Sequence, residues 1–146
     1  MLFRSDLNYG AKAANGKKVF DTDAGCAACH SVGGPKKIGP DLANIGTKYG
    51  KQALLDNIVN PSEGISPEFV PVTFTMKNGD TVTGMIASES PNQITVQIGP
   101  TQQQRINPAD VASRKEIRVS LMPEGLLNPL SLQQIADLLE YLASLK

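Results

Sequence analysis

The chain has 146 residues, and its 14 basic and 14 acidic side chains give a formal net charge of zero. This length predicts one domain, or a small domain that carries an insert, and the balanced charge gives no basic surface for nucleic acid or an anionic membrane. No apolar run approaches the ~20 residues of a membrane-spanning helix, and the start, MLFRSDLNYG, lacks the apolar segment of a secretory signal.

The first predicted element is a helix from about residue 9 to residue 21, and the segment after it carries most of the chemistry. Cys26-Ala-Ala-Cys29-His30 contains both cysteines and the only histidine of the chain. A random sequence of this composition would show that arrangement in roughly one case in 10,000. Three kinds of site use such residues: structural zinc, a redox-active dithiol and the attachment of a c-type haem.

The surroundings of this motif favour haem. Structural zinc takes four ligands, usually from two separated pairs, and the chain has no second cysteine or histidine cluster. A thioredoxin-like dithiol follows a strand, whereas a helix is predicted before Cys26. In a haem site the spacing lets Cys26 and Cys29 form thioethers with the two vinyl groups, and His30 faces the iron as proximal ligand. The alternative for His30 is an ordinary surface histidine.

Gly39 and Pro40 follow the histidine by about ten residues, in the segment KKIGPDL. A ligating histidine usually donates its second ring N–H to an oxygen acceptor, which fixes the orientation of the ring. A rigid loop at a proline could present such a carbonyl, but Gly-Pro also marks ordinary turns. The spacing alone leaves both interpretations open.

At this point the chain resembles a class I cytochrome c. In that family a G-P-x-L segment follows C-x-x-C-H, and the proline carbonyl accepts a hydrogen bond from the proximal histidine. The resemblance therefore implies this role for Pro40, and it implies that Leu42 packs on the haem.

Further along the chain, the hydrophobic period changes from that of a helix to that of strands. Leu54, Leu55 and Ile58 form the apolar face of a helix that Pro61 ends. Apolar residues then alternate between residue 66 and about residue 119, and Asn-Gly at 78–79 predicts a hairpin turn. QITVQIG adds a strand, and QQQRI is a possible fourth one. The alternation suggests one apolar face made of Val70, Val72, Phe74, Val82, Ile86, Ile94, Val96 and Ile98.

Methionine is the remaining strong candidate for the second iron ligand, because the chain has no second histidine. Met1 is terminal. Met76 belongs to the apolar face of a predicted strand, and Met85 lies on the strand face opposite Val82. Met122 lies in SLMPEGLLNPLS, a loop rich in proline and glycine where a methionine packs little by itself.

A helix at the end of the chain follows this loop. Ser131 and Gln134 form a capping box, and an apolar stripe runs from there to the C-terminus. Its members are Leu132, Ile135, Ala136, Leu138, Leu139 and Leu142. Class I cytochromes c carry the methionine ligand in a loop just ahead of a C-terminal helix, so the resemblance implies that Met122 is the distal ligand. It also implies that this helix crosses the first one, with Gly16 and Phe20 near Tyr141.

The β-rich interruption is the main departure from an ordinary class I cytochrome c. It resembles the planctomycete-type haem-binding domain, in which a β-rich segment separates an N-P-S sequence from a later M-P-E-G-L sequence. This chain has the first at residues 60–62 and the second at residues 122–126.

The sequence thus predicts a mostly α cytochrome c fold, with three to four helices around a covalent haem and an inserted small antiparallel β subdomain. The N-terminal part of the cytochrome is expected at residues 1–65, the insert at 66–119, and the C-terminal part with the methionine loop at 120–146. The residues expected to hold the haem are Cys26, Cys29, His30, Ile38, Pro40, Leu42, Ile45, Tyr49, Leu55, Ile58 and Met122. His30 and Met122 are the expected iron ligands.

The predicted function is the transfer of single electrons by one covalent haem, without enzymatic activity of its own. A haem-based sensor or small-ligand module, and the electron-docking domain of a larger exported dehydrogenase, are the alternatives. The expected partners are redox proteins such as a dehydrogenase or an oxidase, with no nucleic acid and no membrane span. Because haem is attached covalently outside the cytoplasm, a periplasmic or other extracytoplasmic location is expected.

Overall fold

The computed structural model describes residues 10–146, and the chain divides into two compact units. One unit contains the described residues up to Glu63 together with Pro123–Lys146, and the other is Gly64–Met122. The predicted helix start at residue 9 and the first nine residues of the predicted N-terminal part lie outside the described residues.

The first unit is built from helices. Its α-helices are α1 (Ala13–Lys18), α2 (Ile45–Lys48), α3 (Lys51–Val59) and α4 (Leu132–Ser144). α1 continues directly into a π-helical segment, Val19–Asp23, so the helical region covers most of the predicted first helix. None of the helices within residues 10–146 has the length and apolar character needed to cross a membrane.

The core of the helical unit confirms the predicted apolar faces. α3 buries Leu54 and Leu55 and ends before Pro61, as predicted. The predicted capping box of α4 is present, with the Ser131 side chain accepting from the backbone N–H of Gln134. Leu132 is 50% exposed, so the prediction that it belongs to the apolar stripe of this helix was wrong. The buried cluster consists of Val19, Phe20, Leu54, Leu55, Leu138, Leu139 and Leu142.

The close approach of α1 and α4 depends on a glycine. A Cβ atom on Gly16 would lie 1.9 Å from the backbone O of Asp137 and 2.7 Å from the Cβ of Tyr141. The rings of Phe20 and Tyr141 lie 5.5 Å apart between centroids, so the predicted contact of these helices is confirmed. Asp137 is buried, and its carboxylate accepts the backbone N–H of Lys12 at 2.9 Å. A charge-assisted bond therefore joins α4 to the start of α1.

The second unit is a five-stranded antiparallel sheet with the strand order β4-β3-β2-β1-β5. The strands are β1 (Val72–Met76), β2 (Thr81–Glu89), β3 (Ile94–Gln97), β4 (Gln103–Ile106) and β5 (Val111–Glu116). Gly79 has a φ of 94° in the turn between β1 and β2, which confirms the hairpin predicted from Asn-Gly. The predicted fourth strand is present as β4.

The sheet has its own hydrophobic core, which consists of Val72, Phe74, Val82, Ile94, Val96 and Ile106. Most of the predicted apolar face is therefore buried, but Ile86 and Ile98 are 36% and 39% exposed, and for them the prediction was wrong. The strand register shifts between Ile86 and Ser88, which interrupts the regular alternation there. Ile98 lies just beyond the end of β3.

A positively charged side chain packs on the aromatic ring of this core. The guanidinium of Arg114 lies 5.2 Å from the centroid of the Phe74 ring, and it pairs with the Glu89 carboxylate at 2.5 Å. The pairing connects β5 to the end of β2. The hydrogen bonds to Arg114 also hold the pKa of the Glu89 carboxyl below its usual range.

The expected fold class, mostly α with a small β insert, was wrong. Helical turns of every kind account for 34% of the described residues and strands for 20%, and the sheet has five strands. Two of the four α-helices in that part of the chain are short, with six and four residues. The sheet was underestimated because β5 exposes all its residues after Val111, so its sequence shows no apolar alternation.

We predict that Gly16→Ala destabilises the helical unit by about 3 kcal/mol, because the added methyl group would collide with the backbone of α4. Thermal or denaturant unfolding measures this effect. Gly34→Ala is the matched control, since a Cβ on Gly34 would meet no atom within 4 Å. Equal stability of the two variants would show that α1 and α4 do not depend on this contact.

Candidate functional site

The residues of the cysteine motif lie on a tight turn that follows the first helical region. The π-helical segment ends with a hydrogen bond from Ala24 N to Val19 O at 2.8 Å. Gly25 then adopts a left-handed conformation, with a φ of 68°, and a 3-10 turn begins at Cys26. The backbone N–H of His30 donates to Cys26 O at 2.9 Å, which brings the whole motif into one compact loop.

The environment of the two thiols favours neither a reactive dithiol nor a zinc site. Cys26 and Cys29 are both free and half-buried, and burial raises the pKa of each thiol. Redox-active cysteines have a depressed thiol pKa, so this environment disfavours the dithiol interpretation. Within residues 10–146, no group of three or more histidine, cysteine or acidic side chains is arranged to hold a metal ion. The zinc interpretation therefore finds no support.

The orientation of His30 is fixed by the carbonyl of Pro40. His30 Nδ1 lies 2.8 Å from Pro40 O, so the hydrogen bond that the family resemblance implied is present. A carbonyl oxygen can only accept, which places the proton on Nδ1 and leaves the lone pair of Nε2 available. Burial lowers the pKa of His30, while the bond to Pro40 acts in the opposite direction. The net shift favours the neutral form of the ring, whose Nε2 can bind a metal ion.

This hydrogen bond is one of four that join the turn at residues 26–31 to the segment at residues 37–42. All four connect positions about ten residues apart, in parallel order along the two segments. The other three run from Lys37 Nζ to Ala27 O (2.5 Å), from Gly39 N to Cys29 O (2.8 Å) and from Leu42 N to Ser31 O (2.9 Å). Together they hold the proline carbonyl in place beneath the imidazole.

Gly39 is a site residue to which the sequence analysis gave no role of its own, although it begins the G-P-x-L segment. A Cβ atom at this position would lie 2.9 Å from Cε1 and Nδ1 of His30, and equally close to Cys29 O. The imidazole therefore packs directly on the glycine backbone. A glycine before the proline could have signalled this close approach, since such contacts need a residue without a side chain.

Most of the predicted haem contacts are apolar side chains of the helical unit. Leu55 is buried, whereas Ile38 is half-buried and Pro40 is exposed. The remaining ones are partly buried and pack against the helical core: Cys26, Leu42, Ile45, Tyr49 and Ile58. These side chains keep accessible apolar surface close to the core, which suits a large apolar macrocycle. The donor chemistry of His30 and this lining fit a haem group.

Met122 is the last residue of the sheet unit and lies in a loop. It is half-buried, and its backbone N–H donates to Ser120 Oγ at 3.1 Å. Met76 packs against the sheet core, as predicted, and Met85 lies within β2 opposite Gln97. Met122 is thus the one methionine of residues 10–146 outside regular secondary structure. Its role as an iron ligand stays a prediction.

A family model described as Cytochrome c matches residues 13–146. The matched range includes the turn with both cysteines and His30, and it also includes α4. Proteins of this family carry haem c that is covalently attached through the cysteines of the C-x-x-C-H motif. A search of curated proteins finds no match to the chain. The planctomycete-type resemblance stays a prediction.

We predict that the double variant Cys26→Ala/Cys29→Ala contains no covalent haem, because both thioether bonds need a cysteine sulfur. Haem staining after denaturing electrophoresis measures covalent attachment. The single variant Cys26→Ala is the control, because one thioether is enough to keep haem on the denatured chain. Haem that stays on the denatured double variant would contradict the assignment.

Gly39→Ala is predicted to displace the His30 ring and to lower the stability of the haem-loaded protein by about 1–3 kcal/mol. The added Cβ would meet the imidazole and Cys29 O together, so neither neighbour can give way freely. Unfolding followed by haem absorbance tests this expectation, and Gly34→Ala is again the control. Unchanged stability would mean that the imidazole does not pack on Gly39 in the loaded protein.

Proposed function

The chain belongs to the cytochrome c family, and from this premise we propose that it passes single electrons between redox proteins outside the cytoplasm, and that His30 and Met122 would be the ligands of its haem iron. The family establishes a haem-binding, electron-carrying c-type cytochrome. The proposal goes further than the family in three respects, which are the ligand pair, the location and the kind of partner.

The chain contributes the attachment of the haem and the orientation of its ligand. When bound, haem c supplies one-electron redox chemistry through the ferric and ferrous states of its iron. Cys26 and Cys29 hold the group covalently, so it cannot be lost to solvent or exchanged. The neutral His30 ring presents Nε2 as a ligand, and Pro40 O keeps the ring from rotating.

The hydrogen bond between His30 and Pro40 carries the proposal. A surface histidine needs no fixed acceptor, whereas this ring is tied by its Nδ1 proton and packs on Gly39. The bond also increases the basicity of Nε2, because the acceptor oxygen stabilises positive charge on the ring. This fixed orientation supports the proposal that His30 would bind the haem iron through Nε2.

Met122 is the proposed distal ligand, and its position in the chain supports this role. Met76 packs against the sheet core, and Met85 lies within the regular strand β2. Met122 lies in a loop ahead of the capped helix α4. A methionine ligand raises the reduction potential relative to ligation by two nitrogens, which suits an electron carrier.

The proposed partners are redox proteins such as a dehydrogenase or an oxidase, because a carrier needs both a donor and an acceptor. The proposed location is the periplasm or another extracytoplasmic compartment. This location is supported by the chemistry of Cys26 and Cys29, since covalent haem attachment takes place outside the cytoplasm.

We predict that Met122→Leu removes the weak long-wavelength absorbance that a methionine–iron bond gives to the oxidised protein, and that it lets external ligands bind. Leucine keeps the side-chain volume but has no sulfur. Met76→Leu and Met85→Leu are the matched controls and should keep the band. Loss of the band in either control instead would reassign the ligand. Rapid binding of carbon monoxide by the reduced wild-type protein would favour a haem-based sensor over a carrier.

A further inference from the structure

Lys37 makes the only bond with a charged donor among the four that join residues 26–31 to residues 37–42. Its Nζ lies 2.5 Å from the backbone O of Ala27, which stands between the two cysteines. Ten residues separate donor and acceptor in the chain, so the contact is not a product of local backbone geometry. Its neighbour Lys36 makes no hydrogen bond or ion pair in the described part of the chain.

We propose that Lys37 is a positioning residue for the proximal ligand, and that its charge raises the reduction potential of the haem that Cys26 and Cys29 hold. This inference rests on the proposed function and deepens it. The Lys37 side chain fixes one end of the segment at residues 37–40, and the bond from His30 fixes the other end at Pro40. With both ends fixed, the carbonyl that orients the imidazole has little freedom to turn away. We call these two bonds, from Lys37 to Ala27 O and from His30 to Pro40 O, the clamp.

The charge of Lys37 adds a second effect, whose sign is opposite to that of the bond to Pro40. That bond increases the basicity of Nε2 and so favours the ferric state. A ferric centre carries one more positive charge than a ferrous centre, so a nearby ammonium group disfavours oxidation. The ammonium group lies beside the turn that carries both cysteines and His30, since it donates to Ala27 O. Because Lys37 is exposed, salt screens this Coulomb effect, whereas it leaves the geometric effect of the clamp largely intact.

Lys36 allows the two effects to be separated within one chain. It is exposed and carries the same charge one residue away, but it makes no hydrogen bond or ion pair with the turn. Lys36→Gln therefore removes a nearby positive charge without touching the clamp, whereas Lys37→Gln removes both. Lys37→Arg keeps the charge and retains N–H groups that can donate to Ala27 O. Both positions are on the surface, so the three variants leave the packed core of the unit untouched.

The test measures the reduction potential of the haem-loaded protein and its three variants at low and at high salt. We expect Lys36→Gln to lower the equilibrium constant for reduction at low salt, because a positive charge is lost, and to leave it unchanged at high salt. At high salt, where the charge effect is screened, Lys37→Gln should raise this constant about threefold, which is about 28 mV for one electron. The reason is that a less firmly held Pro40 carbonyl makes His30 a weaker electron donor. Lys37→Arg should stay close to the wild-type value at both salt concentrations.

Hydrogen exchange gives a readout of the clamp that does not depend on electron transfer. The backbone amides of Gly39 and Leu42, which donate into the turn, should exchange faster in Lys37→Gln and at the wild-type rate in Lys36→Gln. Equal potential shifts in the two glutamine variants that vanish together at high salt would overturn the proposal, as would unchanged exchange. Absence of the methionine–iron absorbance in the wild-type protein would instead refute the proposed ligand pair. The comparison of the Lys36 and Lys37 variants would still test the role of Lys37.

Discussion

The hydrogen bond between His30 Nδ1 and Pro40 O is the interaction on which the site depends. It decides which ring nitrogen carries the proton, and therefore which one can bind iron. The surrounding structure serves this bond. Gly39 lets the backbone approach the ring, and the bonds from residues 37, 39 and 42 hold the two segments together. A histidine in the same sequence without this support would have no fixed tautomer.

The helical unit provides a rigid base for that arrangement. Gly16 lets α1 approach the backbone of α4, and the buried Asp137 ties α4 to the backbone N–H of Lys12. The π-helical segment and the left-handed Gly25 then redirect the chain from α1 into the cysteine turn. Packing between helices that are far apart in the sequence therefore fixes the position of the turn, and with it the position of His30.

The sheet unit is stabilised by different means. Its core is one cluster of aliphatic residues around Phe74, and the ion pair of Arg114 with Glu89 covers that ring. Five strands with a buried cluster of their own meet the usual requirement for an independently stable sheet. The chain thus combines a helical unit that carries the haem-attachment cysteines with a β unit that ends at the proposed methionine ligand.

The sequence by itself determined the features that depend on neighbours along the chain. Cys26, Cys29 and His30 identify haem attachment because their spacing is part of the chemistry, and Ser131 with Gln134 marks the start of α4. Only the tertiary structure decided what depends on distant residues. The polar strand β5 is a strand because it pairs with β1, and Ile86 is exposed because the register shifts beside it. In the same way, Lys37 and Gly39 acquire roles only through contacts with a turn about ten residues earlier, which no local pattern of charge or hydrophobicity encodes.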